Sequence, residues 1–79
     1  MTGDKVVDLV VGELNRATEK FGPFASSHEG YAVLLEEMDE LWEAVKANDW
    51  DDMREEAIQA GAMALRFLMD LVPEEANHD

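Results

Sequence analysis

The chain has no cysteine and few basic residues, and each shortage excludes a class of function. Without cysteine it has neither disulfides nor thiolate metal ligands, and its redox compartment is left open. Six Lys and Arg stand against nineteen Asp and Glu, which gives a formal net charge of −13. A surface with that field repels nucleic acid and anionic membranes, so we expect neither as a partner.

Several sequence motifs are also missing. There is no Gly-rich phosphate loop, no nucleophile motif and no Cys/His metal spacing, so any hydrolysis must be metal-assisted. No apolar run approaches the ~20 residues that a membrane span needs. The N-terminal residues, MTGD, lack the basic start of a signal peptide, and we therefore expect a cytoplasmic protein.

The small size of the chain predicts a marginal core. A domain of 79 residues buries only about 60–65% of the surface that its unfolded chain exposes. Small scaffolds are usually stabilised by disulfides, a metal or oligomerisation, and the first of these is excluded here. Apolar residues make up 47% of the chain, which is typical of a globular protein and not of a disordered one.

Helix breakers divide the chain into three segments, which predicts one all-α domain over residues 1–79. The apolar periodicity predicts helices over about 4–21, 27–48 and 50–72, followed by a short acidic tail, 73–79, that should fray. Gly22 is expected in the left-handed conformation that ends the first helix. Ser26 and Glu29 have the spacing of a capping box, and Asp49 or Asp51 is placed to cap the third helix.

The third helix is apolar around nearly its whole circumference. Its narrow polar stripe consists of Glu55, Gln59, Arg66 and Asp70. Such a helix must be buried on more than one side, and two partner helices from the same chain do not readily do that. The sequence therefore predicts a homodimer or homotetramer with the third helix at the interface. On the second helix, Trp42 is expected in the core.

Two pairs of polar residues, each three positions apart, indicate a cation site. Glu37 and Glu40 are neighbours on the second helix, about 5–6 Å apart at Cβ. Glu56 and Gln59 repeat the spacing on the third, at the edge of its apolar face, where an unpaired carboxylate is costly. Across two antiparallel helices these four oxygens suit Mg²⁺, with Mn²⁺ as an alternative.

The same acidity has two other interpretations. One is a solvated acidic face, which is the simpler account of Glu36 and Glu43. The other is an acidic helical oligomer that mimics nucleic acid and occupies a basic partner. A mimic would spread its carboxylates over an outer surface, whereas a metal-dependent enzyme would bring Glu37, Glu40 and Glu56 together in one cleft.

The glutamate motifs resemble those of a known family. Residues 36–40, EEMDE, are similar to the E-E-x-x-E element of the MazG-like all-α nucleoside triphosphate pyrophosphohydrolases. Residues 56–59, EAIQ, are similar to that family's E-x-x-D element except that Gln59 replaces the aspartate. The similarity spans roughly residues 21–71, and the run 28–31, HEGY, looks like short members of the group.

The resemblance implies an oligomeric helical bundle that hydrolyses a nucleoside triphosphate to the monophosphate and pyrophosphate with Mg²⁺. It implies Glu37, Glu40 and Glu56 as metal ligands, with Gln59 in the place of an aspartate. This replacement removes one negative charge from the metal shell. A member of the same fold that binds metal or nucleotide without turnover is therefore the alternative.

Other residues are candidates for roles in the reaction. Glu36 is the predicted group that orients or deprotonates the attacking water. Lys46, Arg54 and Arg66 are candidates to neutralise phosphates, and each has a surface ion pair as its simpler explanation. Trp50 is either a core or interface residue or a surface on which a nucleobase stacks. Glu13 and Asn15 are first-helix candidates to face the site.

Overall fold

Three α-helices make up the computed structural model, which describes residues 1–75 of the chain. They are α1, Gly3–Lys20; α2, Ser27–Lys46; and α3, Trp50–Leu71. The described residues contain no strand, so the all-α prediction is confirmed, and the observed bounds differ from the predicted ones by at most two residues. The last part of the predicted tail, 76–79, lies outside the described residues. None of the three helices is long and apolar enough to cross a membrane.

Each helix begins at a polar residue whose side-chain oxygen accepts a hydrogen bond from a backbone N–H three positions on; these N-caps are Thr2, Ser26 and Asp49. At α2 the Ser26 Oγ accepts from the Glu29 N–H at 3.1 Å. Glu29 Oε1 in turn accepts from the N–H of Ala25 at 3.0 Å, one residue before the cap. The predicted capping-box residues therefore do fix the start of α2, the helix that carries most of the acidic motif.

The connection from α1 to α2 differs from the predicted glycine cap. No glycine in residues 1–75 has a positive φ, and α1 ends at Phe21 in an extended conformation. The proline at position 23 accounts for this, because the residue before a proline is disfavoured in the helical region. The Gly22 carbonyl accepts a hydrogen bond from Arg66 Nη2, and the Phe24 N–H donates to Asp70 Oδ2 at 3.1 Å. Two polar residues of α3 therefore hold this connection.

The central helix is α3, which packs against both α1 and α2. The buried core is small and consists of Leu14, Ala17, Phe24, Ala62 and Met63. Many large apolar side chains stay exposed, among them Trp42 at 57%. The expectation that Trp42 lies in the core is therefore wrong for the single chain, because α3 covers only part of the apolar arc of α2.

Because α3 covers only part of the apolar arc of α2, the orientation of α2 about its own axis decides which of its residues face α3. At 100° per residue, the residues that face α3 centre on Glu37 and include Gly30, Val33 and Ala44. The exposed apolar residues form a separate stripe with the alternating four-and-three spacing of a helix–helix seam: Tyr31, Leu35, Met38, Trp42 and Val45. The apolar arc of α2 is too wide for α3 to cover alone, so only one edge of that arc faces α3. This rotation points Glu37 into the α2–α3 interface.

The close approach of α2 and α3 depends on Gly30. A Cβ at this position would lie 2.7 Å from Phe67 Cδ2 and 2.9 Å from Leu71 Cδ1. We expect Gly30→Ala to lower the free energy of unfolding by about 1–3 kcal/mol through overpacking. Gly12 is the matched control, since a Cβ there meets nothing within 4 Å. Gly12→Ala should raise stability by up to about 1 kcal/mol because alanine favours helix. Urea unfolding of both variants checks the contrast, and similar effects would contradict it.

Candidate metal centre and its groove

The α2–α3 interface brings three carboxylates together. One oxygen each from Glu37, Glu40 and Glu56 lies within 4.8 Å of the other two. Ligands on opposite sides of Mg²⁺ are about 4.2 Å apart, given metal–oxygen bonds of about 2.0–2.1 Å. Small side-chain rotations would therefore bring all three oxygens onto one ion. The structure thus places together the three glutamates that the sequence predicts as ligands.

The burial of these carboxylates is uneven in a way that suits a cation. Glu40 is exposed, while Glu37 and Glu56 are half-buried. The Oε2 atoms of Glu37 and Glu56 are both buried and have no hydrogen-bond partner. A buried carboxylate oxygen without a donor carries its full desolvation penalty. A divalent ion that enters past the exposed Glu40 would give both oxygens the positively charged partner that they lack.

The crowding also raises carboxyl pKa values. The pKa of Glu56 is raised to about 7, first because burial penalises its charged form and then because Glu40 and Glu37 lie beside it. The pKa of Glu37 is raised mainly by burial and next by the charge of Glu40. Both shifts have the sign expected when carboxylates share a site without a cation. A bound cation would reverse them by favouring the charged forms.

Gln59, the fourth predicted ligand, lies beside the three glutamates and contacts α1. Its side chain lies near Glu13, whose carboxylate accepts a hydrogen bond from Arg16 Nε at 2.9 Å. These contacts, with Arg16 first, lower the pKa of Glu13. Glu13 in turn raises the pKa of Glu37 by its charge. The candidate site therefore continues from α2 and α3 onto α1, and the ligand role of Gln59 stays a prediction.

An open groove of about 600 Å³ begins at Glu37 and runs between α1 and α2. Its floor is α3, which contributes Gln59, Met63 and Arg66. The remaining lining comes from one side of α1, the α1–α2 connection and the first half of α2. A volume of this size is in the range of small-molecule and cofactor sites, about 300–1,000 Å³. Glu37 is thus shared between the glutamate cluster and a space large enough for a nucleotide.

Four other predicted site residues lie outside this groove. Glu36 is exposed next to Glu37, close enough to raise its pKa. Lys46 is on the surface of α2 and donates to Glu43 Oε1 at 2.7 Å, the ion pair that was its simpler explanation. Arg54 is exposed on α3, and Trp50 is 74% exposed at the start of that helix. The structure brings none of these four into the glutamate cluster.

Arg66, Arg16 and Lys20 acquire roles that the sequence patterns did not predict, and the first-helix candidate Glu13 lies in the groove with them. Arg66 is 6% exposed, and its guanidinium lies 4.1 Å from the centre of the Phe24 ring. It serves the α1–α2 connection and is not a free phosphate contact. Glu13, Arg16 and Lys20 line the groove from α1. Their spacing already put them on one side of α1, but nothing in it indicated that this side faces the site.

The pH dependence of stability tests the crowded carboxylates. A carboxyl group with a raised pKa binds its proton more tightly in the folded than in the unfolded state. The stability that it contributes is complete below the ordinary value of 4.5 and is lost as the pH rises to about 7. With a chelator present, we therefore expect the melting temperature to fall between about pH 5 and about pH 8.

Glu56→Gln should flatten that dependence and raise the metal-free melting temperature at the upper end. Glu19→Gln is the control, because it removes the same charge from the exposed surface of α1. It should keep the slope of the parent protein. If the melting temperature of Glu56→Gln fell with pH as steeply as that of the parent protein, the pKa of Glu56 would not be raised by burial and by its neighbours.

Comparison with protein-family models, with curated proteins and with solved structures found no match to this chain. The MazG-like resemblance therefore stays a prediction that depends on the two glutamate motifs. What bears on function is the geometry of the chain itself: three convergent carboxylates, two of them with buried oxygens that lack a partner, and a groove of about 600 Å³ that one of the three, Glu37, also lines.

Proposed function

We propose that the protein is a Mg²⁺-dependent nucleotide pyrophosphohydrolase that converts a nucleoside triphosphate to the monophosphate and pyrophosphate. The observation that carries the proposal is the pair of orphaned oxygens on Glu37 and Glu56, buried beside Glu40 where a cation would satisfy them. The adjoining groove, of a size that fits a nucleotide, supports the choice of substrate. The cytoplasm is the compartment that we propose for the reaction.

In this proposal Glu37, Glu40 and Glu56 hold Mg²⁺, with Mn²⁺ as an alternative, and the ion supplies charge for the phosphate oxygens and a more acidic water. Water adds to one phosphorus of the α–β bridge, and the bridging oxygen leaves on the other phosphorus. Glu36 accepts the proton of that water from the solvent side of the cluster. The oxygen of the water stays on the phosphorus that it attacks, the bridging oxygen stays on the other, and the products are the monophosphate and pyrophosphate.

The alternative is a protein of the same fold that binds metal or nucleotide without turnover. Gln59 favours it, because a neutral amide adds no negative charge to a metal shell. Mimicry of nucleic acid has less support, since three of the carboxylates converge at an interface where a mimic would display them outward.

Self-association is part of the proposal. The exposed stripe on α2 and the exposed Leu65, Leu68 and Met69 on α3 leave much apolar surface uncovered for so small a chain. The four-and-three spacing of the α2 stripe fits the seam of a second helix, and a copy of this chain presents the same seam. We propose a homodimer or homotetramer in which these faces are covered, so that α3 shares the interface with α2.

A turnover assay tests the proposed reaction. Nucleoside triphosphates are incubated with Mg²⁺ or Mn²⁺, and phosphate is measured after added pyrophosphatase. We expect metal-dependent release that Glu56→Gln abolishes and that Glu36→Gln lowers by about 10²–10⁴ in kcat. Glu19→Gln, with the same charge change outside the site, should retain the activity of the parent protein.

Gln59→Asp tests the role of residue 59 in the metal shell, and turnover by the parent protein separates the enzyme from the non-catalytic alternative. In the enzyme, the added carboxylate should lower the metal concentration for half-maximal activity, because it completes the charge of the metal shell. In a non-catalytic protein the parent shows no turnover while still binding metal. No turnover and no metal binding would reject both.

Sedimentation tests the self-association. Leu35→Glu places a charge in the exposed apolar stripe of α2, and we expect it to reduce the oligomer to monomers. Ala32→Glu adds the same charge to the polar side of α2 and should leave the oligomer intact. Leu68→Glu tests the α3 face separately. A folded parent protein that sediments as a monomer at micromolar concentration would contradict the proposal.

A further inference from the structure

The basic residues of this acidic chain are concentrated in one place. Of its six Lys and Arg, three line the groove that begins at Glu37: Arg16, Lys20 and Arg66. The protein carries nineteen acidic residues, so its surface as a whole repels anions. Three carboxylates, Glu13, Glu29 and Glu37, line the same groove, so its charges balance. Elsewhere the chain carries the other three basic residues against sixteen acidic ones, so an anionic ligand meets less repulsion in the groove than on the rest of the surface.

Two of these three cations are available to a ligand. Arg66 is buried and already bonded to the Gly22 carbonyl and to Asp70, so it shapes the groove and has little capacity left. Arg16 and Lys20 lie four positions apart on the same side of α1. The Arg16 side chain is 54% exposed, and Lys20 is exposed as well. Both can therefore turn toward a ligand without unfolding any part of the chain.

The present partner of Arg16 is replaceable. Its guanidinium makes a two-point contact with Glu13, with Nε donating to Oε1 at 2.9 Å and Nη2 to Oε2 at 2.5 Å. A phosphate offers the same fork-shaped acceptor with greater charge. The Arg16 side chain is in solvent and can move, whereas the Glu13 side chain is only 12% exposed and needs a new donor after the exchange. The Gln59 side chain lies near Glu13, and its amide N–H groups are placed to donate to the carboxylate that Arg16 leaves.

The rest of the groove suits an uncharged aromatic group. Phe21, Phe24, Val33 and Met63 form apolar parts of its wall. Phe21 is 50% exposed, with the Lys20 Nζ 5.3 Å from the centre of its ring. An exposed ring beside a cation is a surface on which a nucleobase can stack next to its own phosphates.

We propose that a nucleoside triphosphate lies along this groove, with its phosphate chain held between the Glu37 end and the side chains of Arg16 and Lys20, and with its base against Phe21. On binding, Arg16 releases Glu13 and pairs with a phosphate. This inference rests on the proposed pyrophosphohydrolase function and adds residues to its substrate site. It locates substrate binding on α1 and away from Lys46, Arg54 and Trp50.

Calorimetric titration with a nucleoside triphosphate whose α–β bridging oxygen is replaced by methylene tests the proposal, because this analogue binds without being cleaved. In Mg²⁺, Arg16→Gln and Lys20→Gln should each raise its Kd about tenfold through loss of a charge-assisted contact. Arg16→Lys should give a smaller loss, since it keeps the charge but not the fork. Lys5→Gln is the matched control, with the same charge change on the exposed surface at the other end of α1.

The contribution of the base is tested with inorganic tripolyphosphate as a second ligand. Phe21→Ala should weaken binding of the nucleotide analogue several-fold and leave tripolyphosphate unaffected. Equal effects on the two ligands would overturn the assignment of the base to Phe21. Mn²⁺ titrations without nucleotide should give the same Kd for the parent protein and for Arg16→Gln, Lys20→Gln and Lys5→Gln, which shows that the metal site is intact.

The outcomes separate this inference from the proposed function. If the parent protein binds the analogue but Arg16→Gln and Lys20→Gln lose no more affinity than Lys5→Gln, the groove is not the substrate site. In that event a loss with Lys46→Gln or Arg54→Gln would restore the sites predicted from the sequence. If the parent protein binds Mn²⁺ but no nucleotide analogue, the proposed function and the groove assignment are both overturned.

Discussion

Mutual repulsion among Glu37, Glu40 and Glu56 is the constraint to which the rest of the structure is fitted. The three carboxylates meet in the α2–α3 interface, the contact on which this small fold most depends. Burial makes their charges more costly than they would be on a surface, and the raised pKa values of Glu37 and Glu56 record that cost. A protein folded for stability alone would put apolar residues here. The arrangement is understandable if a cation completes it.

The distribution of the remaining charge follows from the same constraint. The proposed function requires an acidic protein to bind a nucleotide against its own electrostatic field, and we propose that two features make this possible. The first is a divalent ion that the three glutamates would hold and that would bridge carboxylates and phosphates. The second is the side of α1 that carries Arg16 and Lys20 into the groove. The small core and the exposed apolar stripes have a separate cause, which is that so short a chain buries little apolar surface. We propose that self-association covers these stripes and stabilises the fold.

Features that depend on neighbouring positions could be predicted from the sequence. The caps at Ser26 and Asp49 are of this kind, because a short polar side chain at a helix start bonds to a backbone N–H three positions on. The pairing of Glu37 with Glu40 is another, because helix periodicity places them on one face. Glu56 could be predicted to lie near Glu37 and Glu40 because it is at the edge of the apolar face of α3. Contacts between distant segments could not be predicted in this way. The sequence places Arg66 in the polar stripe of the third helix, but the α1–α2 connection packs on it and buries it. Trp42 is predicted to be buried but is exposed, because periodicity does not say how much of an apolar arc one partner covers.

The central claim is that the three glutamates bind one divalent ion, and calorimetric titration with Mn²⁺ in the absence of nucleotide tests it most directly. The account predicts one ion per chain for the parent protein and for Glu19→Gln, and no measurable binding for Glu56→Gln. Helix content measured by circular dichroism should be the same in all three. Binding that is equally strong in the parent and Glu56→Gln, or absent in the parent at millimolar Mn²⁺, would contradict it.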